Sequence, residues 1–174
     1  GKIRVKFLLR VLLFFMVNSI FAKNYNDIIY LNNRFKINKF LVLDRQTNLV
    51  WARNAAVSEF PLAWKEALDF VGSLNAEAFN GHSDWRLPGR RELFSLVSHR
   101  HINPALPDAH PFENVFPGYY WTATTVARLP DQAWYIHLGG AKVYRGMKYA
   151  SYMVWPVRGQ TNGQTIFPDA SNPD

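Results

Sequence analysis

His99, His101, Asp108 and His110 stand close together in the chain. Imidazoles two positions apart, a carboxylate and a third imidazole are ligands that zinc or nickel accepts. Nothing else fixes their spacing, and prolines at 104, 107 and 111 leave the geometry open, so solvated loop histidines are the competing reading. Ser95, Ser98, His99 and Asp108 supply the residue types of a hydrolase triad. No Gly-X-Ser-X-Gly elbow accompanies them. There is no phosphate-cradling glycine loop and no dinucleotide fingerprint. The chain has no cysteine, which excludes disulfides, thiolate metal sites and cysteine nucleophiles. The expectation is therefore no catalytic residue, no metal and no cofactor.

Charge offers a different chemistry. Between Gln132 and Gly159 lie Lys142, Arg145, Lys148 and Arg158 and no acid, with Tyr144, Tyr149 and Tyr152 interleaved. Cations beside exposed tyrosines suit an anionic polymer, such as a sulfated or acidic glycan, through charge-assisted hydrogen bonds and ring stacking. A solvated hairpin whose charges keep an edge soluble is the alternative. In a strand, Lys142 and Tyr144 share one face and Val143 and Arg145 the other, so the cluster is not one stripe. Arg90, Arg91 and Arg100 extend the surface if the fold brings them near.

The net charge of +7 is not itself a nucleic-acid signal. Residues 1–22 hold Lys2, Arg4, Lys6 and Arg10 and no acid; without these four bases, 16 bases face 13 acids, a net +3. That opening stretch reads as a secretory signal, with Ala22 before the cut, although Ile20 is large for its position and Arg10 interrupts the apolar run. The alternative is an uncleaved anchor, short for a full span of roughly 20 apolar residues. Residues 23–38 read as an extended arm or an edge strand, residues 39–160 as one domain, and residues 161–174 as a flexible polar tail.

Several elements must position these residues. Phe40–Asp44 and Leu49–Arg53 form a hairpin about a polar turn. Pro61 suits the first turn of a helix carrying Trp64, Ala67, Leu68, Val71 and Leu74 on its apolar side, with an end near Ala78 to Asn80. Trp85 and Leu87 alternate as a short buried strand, and Pro88 stops it. Gly89 is then an N-cap, with Glu92 reaching back to free amides, for a helix over roughly residues 90–97. Residues 98–118 form a long loop in which Phe112 and Phe116 pack. Strands follow at Tyr119–Thr124, Gln132–Leu138, Lys142–Met147 and Tyr152–Arg158, with a turn at Gly139-Gly140. Trp51, Asp84, Trp85, Arg86, Leu87, Pro88, Glu92, Trp121 and Arg158 are read as structural.

Five of these motifs, in this order, resemble one bacterial family: Leu43 to Trp51; Trp64 with Ala67-Leu68; Gly81-His82-Ser83-Asp84-Trp85-Arg86-Leu87-Pro88 with Glu92-Leu93; Tyr120-Trp121-Thr122; and Val157-Arg158-Gly159. It is the Lcl C-terminal-like domain family, which takes its name from a collagen-like adhesin, and the likeness spans about residues 37–160. Gly89 stands where the family usually has Ser or Thr, and no collagen-like stalk is present, so trimerisation is not implied. The motif order is also similar to C-type lectin-like and formylglycine-enzyme-like folds. The resemblance thus implies an α+β architecture, two helices packed beside a twisted antiparallel sheet. Formylglycine-type copper chemistry would need cysteines.

The combined expectation is an exported, non-enzymatic recognition module. It would bind an anionic, sulfated glycan, as the resemblance implies, or a cell-surface partner. Contacts would come from Lys142, Tyr144, Arg145, Lys148 and Tyr149, with Arg90, Arg91 and Arg100. No nucleic acid is expected, and a membrane only through an uncleaved residues 1–22. The alternatives are a structural subunit of a surface assembly anchored by its N-terminal segment, or a metal-binding protein using the histidines between 99 and 110.

Overall fold

The computed structural model describes residues 33–160. The signal or anchor assigned to residues 1–22, most of the arm and the tail lie outside them. Among the described residues no helix is long and apolar enough to cross a membrane.

Strands β1 (Phe35–Asn38), β2 (Leu41–Asp44) and β3 (Leu49–Ala52) run antiparallel in sequence order. The β2–β3 turn is held by Asp44. Its carboxylate accepts from the Gln46 amide at 3.1 Å and the Thr47 hydroxyl at 3.0 Å. Its carbonyl accepts from the Asn48 amide at 2.8 Å, and Asn48 takes the left-handed conformation with φ 61°. Asx side chains favour such turns because they replace backbone partners. The same carboxylate receives two bonds from Arg34, at 3.0 and 2.9 Å. The end of the arm is thus the edge strand of the sheet, and the folded unit reaches back past Lys39.

Helix α1 (Trp64–Ala76) does not begin at Pro61 as expected. Leu62–Ala63 first form a short strand, β4, and Ala63 is the N-cap, its amide donating to the Glu66 carboxylate at 2.9 Å. The ladder with the later β8 claims the residues that proline would otherwise have opened into a helix. Ala67, Val71 and Leu74 bury the inner face, whereas Leu68, expected with them, is exposed. The helix closes at Ala76; Ala78, Asn80 and Gly81 all take positive φ around a tight turn. Helix α2 (Arg90–Phe94) is shorter than expected but starts as read: the Gly89 amide donates to Glu92 Oε2 at 2.7 Å.

Strands β5 (Tyr119–Val126), β6 (Leu129–His137) and β7 (Lys142–Met147) form an antiparallel meander. The expected single last strand is two. β8 (Ser151–Tyr152) pairs with β4, and β9 (Val157–Arg158) pairs with β3. Between them Met153 bonds to Tyr119 and Trp121 of β5, and Pro156, with no amide hydrogen, offers only its carbonyl, to Ala52. The fold is therefore α+β, and among the described residues α1 and α2 accompany three antiparallel sheets of four, two and three strands, not one continuous sheet.

The core lies between these layers around Trp51, Trp121, Trp155 and Tyr120. Trp51 and Phe112 both meet Trp155 edge-on. Phe112 anchors the long loop as expected, whereas Phe116 stays exposed.

Candidate binding surfaces

The corner over residues 81–93 is tied together by hydrogen bonds and ion pairs. Asn75, at the end of α1, clamps Trp85 by accepting from its amide at 2.7 Å and donating to its carbonyl at 2.9 Å. The Trp85 indole donates to the Phe79 carbonyl at 2.9 Å. Arg86 exchanges both backbone bonds with Val157, so Trp85 and Leu87 flank a single bridge and not a full strand. Its guanidinium meets Glu92 at 2.7 and 2.8 Å and donates to the Gly159 carbonyl at 2.7 Å. Arg158 donates to Asp84 at 2.6 Å, which holds that carboxyl below the ordinary aspartate range. A groove of about 550 Å³ beside the corner is floored by Leu68, Val71, Trp85 and Leu87. The polar side chains on its wall, Asn75, Arg86 and Glu92, all have internal partners. These bonds make the motif a fold-defining corner.

The meander sorts the expected contact residues onto two faces. Cross-strand partners are Tyr119, His137 and Lys142 in one row, and Trp121, Tyr135 and Tyr144 in the next. Alternation puts both rows on the same face. Their rings meet: Tyr119 to His137 at 4.6 Å, Tyr119 to Tyr135 at 5.4 Å, and Tyr135 to Tyr144 at 5.6 Å with nearly parallel planes. Tyr152 crosses from β8 to lie 4.3 Å from Tyr135 and 4.5 Å from Trp121. Burial and the Tyr135 hydroxyl push the Tyr152 phenol up to about 12, so it stays protonated at neutral pH. Gly146 makes room for this packing, because a Cβ there would come within 2.8 Å of the Tyr135 ring.

Arg145 belongs to the opposite face, beside its cross-strand partner Trp134. Arg90 lies over the same indole, 4.5 Å from the ring centroid. The fold thus joins Arg90 to Arg145 but separates both from Lys142 and Tyr144. Lys148 sits 4.0 Å over the Trp64 ring at the start of α1. Tyr149 is 78% exposed in the turn between β7 and β8. Arg91 is exposed on α2, and Arg100 is exposed in the long loop. Lys142 and Arg145 are exposed and have no ion-pair partner among the described residues.

The loop histidines take separate roles. His99 packs against Phe94, and His110 lies beside Phe112. Burial pulls the His110 imidazole below the ordinary histidine range. His101, not His99, links Ser98 and Asp108: Nδ1 lies 2.8 Å from the Ser98 hydroxyl and Nε2 3.1 Å from the Asp108 carboxylate. The Ser98 amide is committed to the Ala105 carbonyl, and the linked trio clasps the loop onto itself. Ser95 is separate, donating to the Glu92 carbonyl at 2.6 Å. Among the described residues no three histidine or carboxylate side chains converge as a metal site would require.

Sequence reasoning missed Asn75, Tyr119, Tyr135 and His137 as members of these surfaces. The last three were within reach, because a period of two along the expected strands puts Tyr119 on one face with Trp121, and Tyr135 on one face with His137.

The family model described as the Lcl C-terminal domain matches residues 40–158. The chain belongs to that family. Membership points to a surface-associated, adhesin-like module. A comparison with curated proteins returned no match.

Proposed function

We propose that this protein is an exported recognition module that acts by binding, not catalysis, and that its ligand is an anionic glycan displayed on or near a cell surface. The observation that supports this most is the acid-free hairpin β6–β7 from Gln132 onward. It presents Lys142, with no ion-pair partner among the described residues, beside exposed tyrosines. Cations in that setting attract sulfate or carboxylate groups without first breaking an internal pair. Family membership supports the surface setting. Both described chain ends meet in one sheet, β1 and β9 both lying in it, and this supports the likeness to C-type lectin-like folds.

The test is binding of the full chain to sulfated, carboxylated and neutral oligosaccharides at low and physiological salt. Selective, salt-sensitive retention of the charged sugars is expected. Equal binding of neutral and charged sugars, or none of either, would defeat the proposal.

A further inference from the structure

The two faces of the meander differ in kind. One holds Arg90 and Arg145 around a single indole. The other carries two aligned rows of aromatic rings and ends at Lys142. On this second face Tyr119 is 42% and Tyr144 38% exposed, so their rings are offered to solvent and not consumed by the core. Tyr135 lies between them and touches both. Strands lie about 4.8 Å apart, so the three-strand rows extend about 10 Å from β5 to β7.

We infer that the face bearing Tyr119, Tyr135 and Tyr144, with Lys142 at its β7 end, is a stacking platform for the pyranose rings of an acidic oligosaccharide whose anionic group meets Lys142. This rests on the functional reading above and says which of the two faces carries it. The axial C–H bonds of a pyranose carry partial positive charge and lie well on the negative π-face of a phenol ring. Phenol hydroxyls at the ring edges can both donate to and accept from sugar hydroxyls. Lys142 aligns with Tyr119 and His137 in one row and precedes Tyr144 on its own strand, so an anion there adjoins the stacked rings. No acid lies on β6 from Gln132 onward, on β7 or on β8 to repel it. Charge complementarity and the ring rows together favour an acidic sugar over a neutral one and over an apolar protein surface.

The test uses the full chain and a heparin octasaccharide, with affinity measured at 50 mM and 150 mM salt. The double variant Y119A/Y144A should lose about tenfold or more in affinity at both salts, whereas Y119F/Y144F should stay within about threefold, because phenylalanine keeps the ring. K142A should weaken binding several-fold and flatten its salt dependence, whereas R145A should bind within about twofold of wild type. If the alanine double variant does not fold, the Lys142 and Arg145 pair of measurements decides. Octasaccharide binding that survives Y119A/Y144A, or that falls with R145A and not with K142A, overturns this inference alone. Absence of octasaccharide binding by the wild type overturns the functional reading with it.

Discussion

Arg86 and Glu92 form a two-point ion pair, Nη1 to Oε2 at 2.7 Å and Nη2 to Oε1 at 2.8 Å, in which Oε2 also accepts from the Gly89 amide at 2.7 Å. One carboxylate thus caps α2, and its guanidinium partner reaches on to the Gly159 carbonyl beyond β9. Arg86 also bridges Val157 through its backbone. The motif therefore joins a helix start to the closing strand. That explains why a stretch rich in chemically able residues serves the fold.

Glu92→Ala removes both the cap and the ion pair, and should lower unfolding free energy by about 2–4 kcal/mol. Arg86→Lys keeps the charge but not the planar fork, and should recover only part of the loss. Urea titrations followed by tryptophan fluorescence would measure both. A loss below about 0.5 kcal/mol for Glu92→Ala would show that the corner is not structural.

Asp44 is fully buried, and Arg34 neutralises it through two bonds while donating a third to the Ser95 carbonyl at 2.8 Å. Arg34→Ala leaves a buried carboxylate without its counter-charge and should cost about 3–5 kcal/mol. The apolar pair Arg34→Met with Asp44→Leu should cost less than the single change, despite losing the turn bonds. A chain starting at Lys39 should be at least as destabilised as Arg34→Ala. Thermal melts of the four proteins check the order.

Trp51 and Trp85 are both buried, but among the described residues only Trp85 has a partner for its indole N–H. Replacing either with phenylalanine removes similar volume. Trp85→Phe also removes the indole bond to the Phe79 carbonyl, which keeps only the His82 amide as donor, whereas Trp51→Phe removes a donor with no partner among the described residues. Trp85→Phe should therefore be the more destabilising by about 1–2 kcal/mol. Equal losses in chemical denaturation would contradict this.

His110 is held neutral by burial, its folded pKa lying below the 6.5 of an unfolded histidine. The unfolded chain thus binds more protons below about pH 6.5, and stability falls as pH drops through that window towards the depressed folded value. His110→Phe should flatten the fall between pH 7 and 5. A slope unchanged by the substitution would assign the acid sensitivity elsewhere.

At the alkaline end Tyr120 and Tyr152 are each raised to about 12, burial being the first cause for both. The unfolded phenols ionise near 10, so stability should fall as pH rises from about 10 to 12, by on the order of 2 kcal/mol for the fully buried Tyr120. Absorbance of the phenolate near unfolding would show tyrosine ionisation and loss of structure moving together. Phenolate absorbance matching all eight tyrosines at pH 10 in a still-folded protein would refute it.

Much of the local structure was legible because it rests on near neighbours. The β2–β3 turn follows from Asp44 and Asn48, and the start of α2 from Gly89 and Glu92, each within a few residues. Pro61 misled for a reason of distance: β4 exists only because Ser151–Tyr152, far along the chain, lies beside it. The last strand broke for the same reason, since Met153 is claimed by β5 and Val157 by β3.

Residue types and their alternation by themselves determined that this chain carries both helices and strands, lacks cysteine chemistry, and has a basic hairpin whose Lys142 and Arg145 point oppositely. A period of two is set by the backbone alone. Which residues accompany each cation was decided only by the tertiary structure. Strand register placed Tyr119 and Tyr135 with Lys142, and helix packing brought Arg90 over Trp134 beside Arg145. Such meetings depend on burying one face of each element against another, and no local pattern records which partner that will be.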